Sequence, residues 1–291
     1  MNIDYDSLKS INPKIILTSN TAFGTTGPYS ERVGFDGVAQ AMSGAMDMTG
    51  EPGTPSKAFS PYVDFCTASL AAFGTLLAIL EREKTGKGQR VETSLLTTAL
   101  TMTNNLVMEQ KLLNKNRIAS NNRAQTSAPA DTFQTKDGWI LVHTVGQPLF
   151  ERWVKLMNES EWIDDPRFKD DISRGDNGEL ISKRMAEWCK SRTSKEVLTE
   201  LDKARIPGGE VLKAEEVLEE PHIIARKLFL DLEYKNLQES APVMVPPIEL
   251  SQNSGSVRSS APLLGEHTEQ IMIEIGYTKK QIEDLKNNRI I

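Results

Sequence analysis

Phe65 to Leu80 is a run of sixteen uncharged residues, closed by Glu81 and opened by Asp64, with Leu70, Phe73, Leu77 and Leu80 at helical spacing. The spacing predicts a helix. The run is shorter than the roughly 20 apolar residues a bilayer requires, so the expectation is a core helix. Asp64 follows Pro61-Tyr62-Val63 at its mouth. A carboxylate there is expected to cap the helix, where free backbone N–H groups and the positive end of the dipole stabilise negative charge. The same position suits a carboxylate nucleophile, and the pattern alone leaves cap and nucleophile both open.

Elsewhere the pattern alternates between short apolar runs and helical spacings. Lys14 to Ser19 after Asn12-Pro13 reads as a buried strand leading into the loop Phe23-Gly24-Thr25-Thr26-Gly27-Pro28-Tyr29. Phe35 to Met48 has helical spacing, with Val38, Met42, Ala45 and Met46 on one side, and stops at Gly50. Thr85 to Gln89 is a tight connection, Arg90 to Leu95 a strand, and Leu96 to Leu113 a helix. Strand, helix, helix, strand is an α/β pattern. The polar stretch Asn114 to Ala130 is the expected crossing into a smaller α+β region. That region contains the strand Trp139 to His143 and helices at Leu149 to Met157 and Leu180 to Leu201. Ala241 to Ser260 reads as an extended return, followed by helices at Thr268 to Ile275 and Lys279 to Leu285. With so few strands, the sheet is expected to leave an apolar edge uncovered.

Composition narrows the function classes. The 291 residues are 38% hydrophobic and 25% charged, as in ordinary globular protein. The net charge of −6 comes from interspersed charges without a basic block, which argues against a nucleic-acid partner. Only Cys66 and Cys189 are present, so neither a disulfide framework nor a cysteine metal site is expected. The first residues lack a signal-peptide pattern, and no segment reads as long enough to span a membrane, so a cytoplasmic protein is expected.

Other constellations are weaker. His143, His222 and His267 have no metal-ligand spacing and are expected to be structural, and no metal site is expected. Gly86-Lys87-Gly88 lacks the length and the trailing Lys-Ser/Thr of a phosphate loop and precedes a strand, so it reads as a turn. Gly24-Thr25-Thr26-Gly27 follows a strand, and its backbone N–H groups could face a ligand.

Taken together and in order, these segments resemble the class III CoA-transferase family, the CaiB/BaiF type with the formyl-CoA and L-carnitine CoA-transferases. The resemblance rests on Asn12-Pro13, Phe23-Gly24-x-x-Gly27-Pro28-Tyr29, Gly34-Phe35-Asp36, Met42-Ser43-Gly44, Thr49-Gly50-Glu51-Pro52 and the Asp64 junction. It continues through Glu81-Arg82-x-x-Thr85-Gly86-Lys87-Gly88-Gln89, Asp137-Gly138-Trp139, Ile206-Pro207-Gly208-Gly209 and Ala261 to Thr268. It implies that Asp64 is the nucleophile that attacks an acyl-CoA thioester, passing through aspartyl anhydride and thioester intermediates to a carboxylic acid acceptor. It also implies that Thr21, Ala22, Phe23 and Gly24 form the loop that touches CoA, with CoA thioester as substrate and no permanently bound cofactor. The fold implied is α/β. A Rossmann-like large domain would be split between residues 1–120 and 240–291, with a small domain at 121–239.

Two departures from the family pattern carry expectations. Racemase relatives have a His at the position of Phe35, and Phe35 cannot carry a proton, so transferase is expected over racemase. The family normally begins with about a hundred further residues, the first βα units of its Rossmann-like domain. The chain is therefore expected to be a truncated copy or to need a partner N-terminal chain, with a catalytically silent fragment as the rival. The formyl-CoA transferases' glycine-rich loop has no counterpart near Ser120 to Gln125. A homodimer of interlocked subunits is the family's arrangement.

Overall fold

The computed structural model describes residues 3–291. The chain falls into two compact units, Met1–Val211 and Leu212–Ile291. The strands near residues 17–94 and the sheet at 130–210 share the first of these units.

In the first unit, Asp4 caps α1 (Tyr5–Ile11) by accepting from the Ser7 N–H, and β1 (Leu17–Thr21) follows. The chain then passes through α2 (Asp36–Met42) and α3 (Tyr62–Thr85) before β2 (Arg90–Ser94). β1 and β2 pair in parallel, Leu17 opposite Arg90 and Thr21 opposite Ser94. Gly74 lets α3 lie close on the sheet, since a Cβ there would meet Val91 Cγ1 at 2.9 Å. Ser94 caps α4 (Leu95–Leu113), accepting from the Thr97 N–H. The strand and helix expectations for residues 14–113 hold in type and order, with α2 shorter than expected.

α3 is the expected helix with an unexpected exposure. Leu70, Phe73, Leu77 and Leu80 all face outward, and the buried positions are Val63, Thr67, Ala71 and Ala78. The apolar spacing was right, but the side packed on the sheet takes small residues so that helix and strands can approach. A second expectation is also corrected: at 24 residues, α3 is long and apolar enough to cross a membrane by length and composition. Here it serves as the crossover between two parallel strands.

The second part of this unit carries a closed core. β3 (Ala130–Gln134), β4 (Trp139–His143) and β5 (Gly208–Glu210) form an antiparallel sheet. Helices α5 (Gln147–Met157), α6 (Asp171–Asp176), α7 (Gly178–Lys190) and α8 (Ser194–Ala204) complete this part. Phe150, Trp153, Met157, Phe168, Ile181, Met185 and Leu201 are fully buried. Arg174 is buried with them, its guanidinium 4.2 Å from the Phe150 ring centroid and bonded to the Phe168 carbonyl and Asp171. Burial pushes the Cys189 thiol up to about 12, so it stays protonated.

The second unit holds α9 (Ala214–Glu219), α10 (Pro221–Ala225), the antiparallel pair β6 (Phe229–Leu232) and β7 (Ala241–Met244), α11 (Thr268–Glu274) and α12 (Lys279–Asn287). The start of the expected extended segment is thus the second strand of a hairpin.

Candidate functional site

The N-terminus of α3 organises the site. Its N-cap residue is Pro61, which offers neither a side-chain acceptor nor an N–H, so the turn must find acceptors elsewhere. Tyr62 donates to the Ser60 carbonyl at 2.8 Å and Phe65 to the Pro61 carbonyl at 3.3 Å. Val63 and Asp64 donate their backbone N–H groups to Asp36 Oδ2, at 2.8 and 3.2 Å. The expectation that Asp64 caps its own helix is therefore corrected: the capping carboxylate belongs to Asp36, one helix away. The Asp64 side chain is exposed and makes no hydrogen bond among the described residues.

Asp36 is itself braced. It is 5% exposed, and Gln40, one turn on in α2, donates its side-chain amide to Asp36 Oδ1 while its own Oε1 accepts from the Ala58 N–H at 3.1 Å. The buried face of α2 is Asp36, Ala39 and Gln40, with Ser43 next to it, whereas the sequence expectation put Val38, Met42, Ala45 and Met46 on the apolar side. The face that packs is polar because it caps a neighbouring helix. Burial, then the Asp36 carboxylate, raise the Tyr62 phenol above its ordinary value, so it remains neutral.

The loop after β1 is held just as specifically. Thr21 Oγ1 accepts from the Gly24 N–H at 2.8 Å. The Glu92 carboxylate on β2 accepts from the Thr25 N–H at 2.6 Å and from its hydroxyl at 2.8 Å, and pairs with Arg90 at 2.6 Å. The Thr25 amide, then its hydroxyl and the Arg90 charge, hold the Glu92 carboxyl below the usual carboxylate range. Phe23 and Tyr29 meet edge to face with centroids 5.6 Å apart, and the Arg32 guanidinium lies 5.0 Å from the Tyr29 centroid. Gly34 permits the chain to pass beneath this loop, because a Cβ there would meet Ala22 Cβ at 2.9 Å and the Phe23 ring at 3.3 Å.

Gly34, Phe35 and Asp36 thus tie the loop to the Asp64 turn: Gly34 touches Ala22 and Phe23, Asp36 holds the Asp64 amide, and Phe35 between them is exposed. Both features lie at the carboxyl ends of parallel strands, where open α/β sheets place ligands. A cavity of about 330 Å³ beside them is lined by Gly24, Leu70, Glu92, Ser94, Thr97 and Thr101 among others, and does not include Asp64. Among the described residues no group of three or more His, Cys, Asp or Glu could hold a metal ion. Sequence reasoning missed Asp36, Gln40 and Glu92. The carboxylate and amide at i and i+4 in an otherwise uncharged helix were the available signal for the first two.

Residues 1–268 match the model of CoA-transferase family III. The chain is 32% identical over 99% of its length to the succinyl-CoA–L-malate CoA-transferase beta subunit of Chloroflexus aurantiacus, spanning 73% of that protein. It is 28% identical over its whole length to the succinyl-CoA:glutarate CoA-transferase of Homo sapiens, spanning 67% of it. The crystal structure of a CaiB/BaiF family protein from Brucella suis superposes with a TM-score of 0.74 at 30% identity, covering 94% of this chain and 71% of that one. The chain belongs to CoA-transferase family III and is an enzyme of that class, with an α/β fold.

Proposed function

We propose that the chain transfers CoA from an acyl-CoA donor to a carboxylic acid through covalent intermediates on Asp64. The carboxylate attacks the thioester carbonyl, giving an aspartyl anhydride and CoA thiolate. The thiolate attacks the aspartyl carbonyl of the anhydride, releasing the donor acid and leaving an aspartyl-CoA thioester. The acceptor carboxylate then attacks that thioester, and the freed thiolate takes the new acyl group, restoring Asp64. The observation that carries this reading is the Asp64 carboxylate itself, exposed and unpaired on a helix turn whose N–H groups are already occupied by Asp36. Thr21, Ala22, Phe23 and Gly24 would meet CoA, on a loop pinned by Glu92. Phe35 would cover the acyl group and exclude water from the anhydride.

The donor and acceptor are assigned to the class of short dicarboxylic acids, with succinyl-CoA as donor. Relatives named for malate, citramalate, glutarate and mesaconate support this. The outward apolar face of α3, with Phe65, Leu70, Phe73 and Leu77, supports a covering βα layer, and the chain spans only 73% of the malate relative's length. That layer would hold the CoA nucleotide, be supplied by the N-terminal segment or a partner chain, and join residues 1–120 and 240–291 in one large domain. Two such subunits would interlock in the cytoplasm.

The test is a panel of acyl-CoA donors against small carboxylates, with product thioesters identified by mass spectrometry, using the chain with and without a family N-terminal segment. Transfer to dicarboxylates, lost in Asp64→Ala, with hydroxylamine trapped on Asp64, is the expected result. Turnover undiminished by Asp64→Ala would overturn the nucleophile. Micromolar CoA binding by the chain alone would overturn the covering layer.

A further inference from the structure

We propose that Asp36 is the positioning residue of the Asp64 turn, and that it keeps the Asp64 carboxylate free for attack by occupying the donors that would otherwise bind it; this rests on the reading of Asp64 as nucleophile. At the start of an α-helix the N–H groups of the first turn have no partners within the helix. An acidic side chain in that turn is drawn to them, and a carboxylate engaged by such donors must release them before its oxygen can reach a carbonyl carbon. Pro61 aggravates the problem, because it supplies no capping oxygen.

The chain resolves it with a second carboxylate. Asp36 Oδ2 accepts from both Val63 and Asp64, at 2.8 and 3.2 Å, while Oδ1 is held by Gln40. Gln40 is 1% exposed and is locked in turn by the Ala58 N–H at 3.1 Å. Every N–H from Tyr62 to Phe65 therefore has an acceptor, and none of these acceptors is the Asp64 side chain. One carboxylate is buried and braced; the other is exposed and unpaired. Because Asp36 follows Phe35 directly and Gly34 lies against Ala22 and Phe23, the same anchor also sets the distance between the Asp64 turn and the loop assigned to CoA.

The experiment compares Asp36→Ala, Asp36→Asn and Asp64→Ala in the 291-residue protein, with the N-terminal segment added if turnover requires it. Amide hydrogen exchange needs no turnover. Val63 and Asp64 should exchange about tenfold faster or more in Asp36→Ala, while Ile140 and Val154 in the distant core keep their protection. Asp36→Asn, which retains an acceptor oxygen, should restore most of that protection. In turnover, Asp36→Ala should lower kcat by about a hundredfold, the scale of a displaced reacting group, with KM for acyl-CoA within about twofold. Asp36→Asn should recover most of kcat. Unchanged exchange at Val63 and Asp64 both in Asp36→Ala and in the Asp36→Ala/Asp64→Ala double variant, where no carboxylate can take over the freed amides, overturns the proposal. So does equal loss in both Asp36 variants with a general loss of protection in the core, which marks a structural role only. If Asp64→Ala keeps full turnover, the nucleophile reading fails instead, whatever Asp36 does. If Asp64→Ala is inactive while Asp36→Ala keeps wild-type kcat, the positioning role alone fails.

Discussion

Residues 128–206 and residues 17–113 share one compact unit but close their interiors differently. In the first, Phe150, Trp153, Met157 and Phe168 are wholly shut away beneath a three-stranded sheet. In the second, the buried cluster is Ala39, Val63 and Ala99, and Phe73, Leu76, Leu77 and Leu80 stand outside. Fully burying such a side chain contributes about 1.5–3 kcal/mol, so one region holds its stability internally and the other leaves much of it unrealised. Beside that small cluster the second region relies on polar ties: the Asp36 cap, the Thr67–Thr98 hydroxyl pair and the Glu92–Thr25 contacts. The candidate site is built from those polar ties.

The contrast can be broken by mutation. Trp153→Ala should lower the unfolding free energy by about 3–5 kcal/mol in a denaturant titration. A loss near zero would mean that the closed core is not closed. Thr98→Val should cost about 1 kcal/mol, since the α3–α4 contact depends on its hydroxyl bond to Thr67 at 2.9 Å; no loss would assign that contact to apolar packing. A smaller effect belongs to Glu92. Its carboxyl titrates below its unfolded value, so its contribution is complete above the ordinary carboxylate range and is lost as pH falls through the lowered folded value. The Thr25 amide resonance should follow that titration by NMR, and in Glu92→Gln it should not. The smallest change is expected from Phe73→Ala, within about 0.5 kcal/mol in the chain alone. A cost like that of Trp153→Ala would show the outer face of α3 already covered.

The two regions were also unequally legible from sequence. Around residues 139–201 the strand at Trp139 to His143 and the helix at Leu149 to Met157 form as expected, because they bury large side chains against one another, while the one helix expected at Leu180 to Leu201 is divided into α7 and α8. In α3 the same logic found the helix and mistook its buried side, because helix-on-sheet approach selects Ala71, Gly74 and Ala78, which carry little hydrophobic signal. Asp64 and the Thr21–Gly24 loop could be singled out from the motifs that surround them. Asp36 offered only its Gln40 partner at i+4, because the cap itself is supplied across 28 residues.

That long-range cap has a consequence for the order of assembly. A segment such as Ser60 to Thr67, cut free from the rest, would have to begin its helix behind a proline with two amides unclaimed, and helix nucleation is already the unfavourable step. In the folded chain that turn is completed by Asp36 of α2, so its formation is expected to wait on α2. In a folding-kinetics experiment the two would enter the transition state together, substitutions at Asp36 and at Val63 giving φ-values that rise or fall as a pair. The part of the chain that carries the reactive carboxylate would then be among the last helical turns to form alone and among the first to register the loss of a distant neighbour.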